Sequence, residues 1–239
     1  ELIKYMTEKE HHVVSDPPSV EEYEKFFSEQ IKKAHHIIHI AFTSGMSEEY
    51  QRDQEAAKTF DNVTVYDSGY LSSAMGLMVM AACRMAGQNE SVETILKELD
   101  SIQKRMHCSF AIASTEFMSR KGFISANLNR IMKSLEIRPS LKIKDNKFGI
   151  DRIYLGRRKK CYEQYIRRAL KNVKTADRDI LFVTYADLSE ERLQWIEAEI
   201  KKRTDFSHIV FQQASAAISS RACLYKSVLI ADSKSNSSI

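Results

Sequence analysis

The stretch that most constrains the fold is DSGYLSSAMGLMVM at 67–80, where a loop rich in hydroxyl groups leads directly into an apolar segment. A helix that is apolar almost all round has no face suited to water, so it must be buried or must line an apolar cavity. A related segment, HIIHIAFTSGMSEEY at 36–50, ends an apolar run with two hydroxyls and a glycine. Together the two segments predict an apolar cavity capped by polar groups at a helix start.

Length and composition favour a globular protein with a substantial core. A chain of 239 residues with 43% hydrophobic content can bury roughly 70–75% of its unfolded surface, in one large or two small domains. Its four cysteines lie far apart and form no CxxC pair, which indicates neither a disulfide framework nor a zinc site. We therefore expect a reducing, cytoplasmic setting.

The sequence contains no candidate membrane span. The longest uncharged run, 68–83, is shorter than the roughly 20 residues that a spanning helix needs. The chain opens on Glu1 with ELIKYM, which resembles neither a signal peptide nor a natural start. We expect a soluble fragment of a longer protein.

The first part of the chain, 1–104, alternates strand and helix patterns. Ser19 and Glu22 have the spacing of a capping box, which starts a helix, and Gly87 is a candidate helix C-cap. Between them we expect a strand at 36–42, a helix at 47–59 and a strand at 62–67. This order predicts an α/β domain with a mostly parallel sheet, whose ligands lie at the carboxyl ends of the strands.

The second part, 105–239, predicts an α+β domain with about six strands and helices on one face. The strands are expected at 109–113, 140–144, 148–154, 179–185, 208–213 and 227–231. The pair Asp145–Asn146 is typical of a tight hairpin turn between two of them. The covering helices are expected at 157–173 and 188–203, the second capped by Asp187. The fold class is therefore α/β with two domains.

No catalytic or metal-binding pattern is present. His35, His36 and His39 are close in sequence, but a strand points alternate side chains to opposite faces, so the three cannot converge on one metal ion. The sequence has no nucleophile elbow, no Walker lysine and no dinucleotide-binding glycine loop. We expect no enzyme activity, no metal and no cofactor.

The remaining candidates are hydroxyl groups near strand ends and helix starts, namely Ser15, Thr43, Ser44 and Ser72. In an α/β sheet the strand-end loops meet helix N-termini, whose unpaired N–H groups and positive dipole end favour an anion such as a carboxylate. The apolar segment that follows carries several methionines, which adapt to flexible apolar partners. Two simpler interpretations stay open: the serines are turn or cap residues, and the methionines fill a core.

A basic run is the remaining unusual feature. Its members are Arg157, Arg158, Lys159, Lys160, Arg167, Arg168, Lys171 and Lys174. For such a run of charges, a solvated helix face is favoured over a nucleic-acid site. A net charge of +4 also gives no sign of a nucleic-acid partner.

Several segments, in the right order, resemble the DegV family of bacterial proteins. They are SDPPSVEEY at 15–23, TSGMSEEY at 43–50, VYDSGYLSSAMGLMV at 65–79, the region 115–147 and GRRKKC at 156–161. The resemblance implies an N-terminal α/β domain and a C-terminal six-stranded domain with a long-chain fatty acid bound between them. It also implies that the protein presents the acyl group to a separate fatty-acid kinase and performs no chemistry itself.

The resemblance places the carboxylate-binding hydroxyls of the family on Ser15 and Ser44, with Thr43 beside them. It also shows departures. Phe123 and Gly156 stand where arginines are expected, and a glycine-rich loop containing a histidine is replaced by Arg221–Tyr225. The strand that usually opens the family's first sheet lies before the start of this chain.

We therefore expect a fatty-acid-binding protein that holds an acyl chain in an interdomain cleft. The residues expected at its head group are Ser15, Thr43, Ser44, Gly45, Ser72 and Arg221. Two alternatives stay open. The first is a DegV-like interaction module of a larger protein that has lost its pocket, and the second is nucleic-acid binding through the basic helix at 157–174.

Overall fold

The computed structural model describes residues 15–112, 115–120, 122, 124–171, 179–221 and 227–233. By their contacts they form two compact units. The N-terminal unit comprises Asp16–Met106 together with Ile143–Lys147. The C-terminal unit comprises Ser15, His107–Lys142 and the chain from Phe148 onward.

The N-terminal unit alternates helices and strands. Its elements are α1 (Val20–Gln30), a short 3-10 turn (Ile31–Lys33), β1 (Ile37–Ala41), α2 (Glu49–Ala57), β2 (Val63–Asp67), α3 (Ser72–Gly87) and α4 (Val92–Arg105). β1 and β2 pair in parallel, from Ile37 opposite Val63 to Ala41 opposite Asp67. The two strands therefore end at the same edge, where the hydroxyl-rich loops begin.

The predicted capping box at the start of α1 is confirmed. The Ser19 hydroxyl accepts from the Glu22 N–H at 3.3 Å, and the Glu22 carboxylate accepts from the Ser19 N–H at 2.7 Å. The helix that starts here buries Tyr23 and Phe27 against Ala56 of α2. Local hydrogen bonding thus sets where α1 begins, and apolar burial holds it in place.

Two of the neighbouring histidines have structural partners. The Nε2 atom of His36 lies 2.8 Å from the Thr64 hydroxyl, and that of His39 lies 3.1 Å from the buried Asp53 carboxylate. Burial, followed by the charge of Asp53, raises the pKa of the Tyr23 phenol. In the described part of the chain, no group of three or more His, Cys, Asp or Glu side chains could hold a metal ion.

Helix α3 is buried on one side. Ala74, Met78 and Ala81 form the buried stripe, whereas Val79 and Met80 are 42% and 44% exposed. The segment is apolar almost all round, but the structure does not enclose it completely. The exposed pair is an apolar surface on the N-terminal unit.

The end of α3 differs from the prediction that Gly87 caps it. Gly87 is the last helical residue, Gln88 is the C-cap, and its N–H still bonds within the helix. The left-handed residue is Asn89, with a φ of 59°. Asparagine tolerates this conformation better than most residues, so it takes the position predicted for glycine.

The C-terminal unit contains a six-stranded sheet in the order β5-β4-β3-β8-β6-β7. Its strands are β3 (Met106–Ala111), β4 (Ile137–Lys144), β5 (Lys147–Leu155), β6 (Ile180–Ala186), β7 (His208–Gln213) and β8 (Ser227–Ser233). Its helices are α5 (Glu116–Arg120), α6 (Ala126–Ser134), α7 (Arg158–Ala169), α8 (Glu190–Lys201) and α9 (Ala216–Arg221). β6 pairs in parallel with β7 and antiparallel with β8.

The predicted hairpin is confirmed. β4 and β5 are neighbours, and the turn residues Asp145 and Asn146 have φ angles of 51° and 60°. Two consecutive left-handed residues define the type I′ turn, which matches the twist of the strands it joins. The turn pair in the sequence therefore specified both the hairpin and its turn type.

The core of the C-terminal unit lies between the sheet and two helices. Tyr165 and Ile166 of α7 and Ile196 of α8 pack in one cluster with Leu181 and Val183 of β6. Side chains two residues apart on a strand point to the same face. Both helices thus cover the same face of β6.

Most of the basic residues in the segment around α7 are exposed, whereas Arg158 is half-buried. Arg157, Lys159 and Lys160 are exposed, as are Arg167, Arg168 and Lys171, whereas Lys174 lies outside the described residues. The apolar face of the same helix supplies the core residues named above. This arrangement agrees with the interpretation of a solvated face.

The prediction that Asp187 caps α8 is wrong. The cap is Ser189, whose hydroxyl accepts from the Arg192 N–H at 3.4 Å. Asp187 lies two residues earlier with a φ of 51°. A left-handed residue cannot take the extended backbone that Ser189 has and that an N-cap requires.

We expect Ser189→Ala to lower the free energy of unfolding by about 1 kcal/mol, because the first turn of α8 loses its side-chain acceptor. Urea denaturation measures this change. Ser189→Asp is the matched control and should retain wild-type stability, since aspartate caps as well as serine does. Equal stability of the alanine variant and the wild type would contradict the assignment.

Candidate functional site

The candidate site lies in the N-terminal unit, where β1 and β2 end. The Asp67 Oδ1 atom accepts from the N–H of Ser44 at 3.2 Å and from the N–H of Gly69 at 2.9 Å. The Thr43 N–H donates to the Tyr70 carbonyl at 3.0 Å. The loop after one strand is therefore bound to the loop after the other.

The tip of the β4–β5 hairpin completes this edge and belongs to the same unit by its contacts. The Asn146 Nδ2 atom donates to the Ser44 hydroxyl at 3.3 Å and to Asp67 Oδ2 at 3.3 Å. Neither Asp67 nor Asn146 was among the site residues predicted from the sequence. The position of Asp67, directly before the hydroxyl-rich loop, was an available signal, whereas Asn146 is far away in sequence.

Two glycines make room for the hairpin tip. A Cβ atom on Gly45 would lie 2.2 Å from the backbone oxygen of Asn146. Gly69 has a φ of 65°, and a Cβ atom there would lie 2.9 Å from Gln103 Nε2 and 3.0 Å from Asn146 Oδ1. Any other residue at position 45 would push the tip away, which gives a physical reason for the glycine in TSG.

Thr43 is the unusual residue of this edge. It is fully buried, and its hydroxyl has no hydrogen-bond partner among the described residues. Ser68 is equally buried, yet its hydroxyl donates to the Tyr70 carbonyl at 3.0 Å and accepts from the Tyr70 N–H at 3.1 Å. A buried hydroxyl without a partner costs about 1–3 kcal/mol. The Thr43 hydroxyl is therefore a donor without an internal acceptor.

The start of α3 adds further donors. Leu71 occupies the N-cap position and provides no side-chain hydrogen bond to the first turn. The backbone N–H groups of an uncapped first turn, with the positive end of the helix dipole, favour an anion. Ser72, the first helical residue, has a φ of 52°. The edge therefore combines hydroxyl donors with an uncapped helix N-terminus.

The structure brings four of the predicted residues to this unit: Thr43, Ser44, Gly45 and Ser72. Ser15 is half-buried and belongs by its contacts to the C-terminal unit. Arg221 is the last residue of α9, and its side chain lies outside what the structure describes.

Of the three departures from the family pattern, Gly156 lies within the described residues. Phe123 and the segment 222–225 lie outside the described residues. Gly156 has a φ of 110°, a conformation that residues with side chains rarely adopt. An arginine at this position would be strained, which explains the glycine found there.

Among the described helices, none combines the length and the apolar character that crossing a bilayer requires.

The model of the DegV family of uncharacterised proteins matches residues 1–222. A DegV domain-containing protein of Clostridium acetobutylicum is 26% identical over 135 residues, which cover 55% of this chain and 48% of the relative. One of Caldanaerobacter subterraneus is 25% identical over 205 residues, covering 84% of this chain and 72% of the relative. The chain therefore spans about half the length of the first relative.

Solved structures of the same family share the fold. A DegV lipid-binding protein of Thermotoga maritima has a TM-score of 0.80 at 19% identity, and the match covers 98% of this chain and 81% of that protein. A fatty-acid-binding DegV protein of Thermus thermophilus has a TM-score of 0.77 at 22% identity, and the match covers 92% of this chain and 78% of that protein. A DegV protein of Eubacterium eligens loaded with heptadecanoic acid has a TM-score of 0.81 at 14% identity, and the match covers 98% of this chain and 84% of that protein.

We expect Gly45→Ala to lower the free energy of unfolding by about 1–3 kcal/mol, because the new methyl group overlaps the Asn146 backbone. Urea denaturation followed by circular dichroism measures the loss. Gly76→Ala is the control, since a Cβ atom there meets nothing within 4 Å and alanine is favoured inside helix α3. If both variants were equally stable, the close approach of the hairpin tip would be wrong.

Proposed function

Because the chain belongs to the DegV family, we propose that it binds a long-chain fatty acid through the edge at the ends of β1 and β2. The carboxylate accepts hydrogen bonds from the hydroxyls of Thr43 and Ser44 and from the first turn of α3. Related proteins of this fold that bind lipid or fatty acid support the proposal.

The observation that carries the proposal is the Thr43 hydroxyl, a buried donor with no acceptor among the described residues. A ligand carboxylate that accepted this hydrogen bond would remove the cost of leaving the donor unpaired. Hydrogen bonds to a charged acceptor are stronger than those between neutral groups. An anionic oxygen bound at the site would therefore satisfy the Thr43 hydroxyl, which has no other acceptor among the described residues.

Ser44 supplies a second donor. Its hydroxyl oxygen accepts from Asn146, and none of the described residues accepts the hydroxyl proton. The Ser72 region adds the uncapped end of α3, which attracts the same negative charge. Gly45 contributes by admitting the hairpin tip that holds Ser44.

The apolar surface of α3 suits the acyl chain. Met75 and Leu77 are half-buried, and Val79 and Met80 are exposed. Each methylene removed from water stabilises a complex by about 0.8 kcal/mol before the costs of ordering. Unbranched methionine side chains follow the shape of a flexible chain.

Ser15 and Arg221 are proposed as further ligands of the carboxylate on the resemblance to the family alone. An arginine can bind a carboxylate through two parallel hydrogen bonds. We further propose that the protein performs no chemistry itself, acts in the cytoplasm and presents its acyl group to a fatty-acid kinase.

We expect Thr43→Val to reduce the fatty acid that co-purifies with the protein, because the substitution removes the buried donor and keeps the shape. Organic extraction of natively purified protein followed by mass spectrometry measures the molar ratio. The stability of the delipidated protein should stay unchanged or rise by about 1–3 kcal/mol, since an unpaired buried hydroxyl is lost.

The two measurements separate the possible errors. A Thr43→Val variant that retains full lipid would overturn the head-group assignment. Lower stability of the delipidated variant would show that the hydroxyl has an internal partner. Absence of stoichiometric fatty acid from the wild-type protein would favour the alternative of an interaction module without a pocket.

A further inference from the structure

We infer that Asn146 sets the head-group selectivity of the site by holding Ser44 as a hydrogen-bond donor toward the ligand. The inference rests on the proposed function, because it concerns the ligand bound at the same edge. Asn146 itself is a positioning residue that acts through Ser44. Neither the family resemblance nor the sequence pattern indicated this residue.

The orientation of the Asn146 amide is determined by Asp67. Both Ser44 Oγ and Asp67 Oδ2 lie 3.3 Å from the same nitrogen. A carboxylate only accepts hydrogen bonds at neutral pH, so the atom facing Asp67 must be the NH₂ group. The amide oxygen then points toward the space left by Gly69, where a Cβ atom would lie 3.0 Å from it.

The same amide determines what Ser44 can offer. An NH₂ group has two protons, and here one goes to Asp67 Oδ2 and the other to the Ser44 oxygen. Because Ser44 accepts from Asn146, its own proton must point elsewhere. No described residue accepts that proton, so Ser44 presents a donor to whatever binds at the edge.

Asn146 also keeps that proton away from Asp67. Asp67 Oδ1 already accepts from two backbone N–H groups, and Oδ2 accepts from Asn146. Without the amide, Oδ2 loses its side-chain donor and competes for the Ser44 proton. The ligand would then meet a hydroxyl whose proton is already shared.

The consequence is selectivity for an anionic acceptor. A carboxylate accepts a charge-assisted hydrogen bond from Ser44, whereas an alcohol of the same chain length forms only a neutral one. We therefore expect the site to prefer a fatty acid over the matching fatty alcohol, and the preference to depend on Asn146.

The turn allows a clean substitution. Asn146 has a φ of 60°, a conformation that glycine adopts without strain. Asn146→Gly thus removes the amide and keeps the type I′ turn. Asp145→Asn is the control, because it changes the charge of the same turn at an exposed residue that has no hydrogen bond to Ser44.

The experiment measures the displacement of a fluorescent fatty-acid analogue from delipidated protein by dodecanoate and, separately, by dodecanol. We expect Asn146→Gly to raise the Kd for dodecanoate about tenfold, the size of one hydrogen bond to a charged group. The Kd for dodecanol should stay within about twofold of the wild-type value, and Asp145→Asn should change neither.

Each other outcome overturns the inference. Equal weakening of both ligands would mean that Asn146 only supports the loop, and no change in either would mean that Ser44 does not depend on it. In both cases fatty-acid binding by the wild-type protein would leave the proposed function standing. A wild-type protein that binds neither ligand would overturn the proposed function and the inference together.

Discussion

The carboxylate of Asp67 is the group on which the organisation of the N-terminal edge depends. It accepts from the backbone of both strand-end loops and from the side chain of the hairpin tip. The backbone carbonyl of Asp67 also accepts a hydrogen bond from the side-chain amide of Gln103 in α4, at 3.0 Å. Segments far apart in sequence therefore meet at one residue. The hydroxyls proposed to bind a carboxylate keep their positions because the loops that carry them are fixed by this one acceptor.

Sequence patterns predicted most of the elements, because these patterns have local causes. The capping box at Ser19 and the turn pair Asp145–Asn146 each act within a few residues, and both were correct. The two cap errors have a local cause as well. Asn89 and Ser189 took the roles predicted for Gly87 and Asp187, since several neighbouring residues can satisfy the same cap and only backbone geometry decides between them.

The candidate site was predictable in part. Thr43, Ser44 and Ser72 followed from the rule that ligands lie at the carboxyl ends of parallel strands. Asn146 could not be predicted as a site residue. It belongs to a hairpin that is far away in sequence, and hydrophobic periodicity does not show which distant segments come into contact. The lack of a partner for the Thr43 hydroxyl was equally hidden, since a sequence shows which groups a residue has and not which of them remain unpaired.

The strand order of the C-terminal sheet has a consequence for how the protein is made. Strand β8, the last strand among the described residues, lies between β3 and β6. A nascent chain therefore leaves two partly formed halves of the sheet apart until residues near 230 emerge from the ribosome. Such an intermediate exposes strand edges that can pair with other chains. The six-stranded sheet can therefore be completed only after β8 has been synthesised.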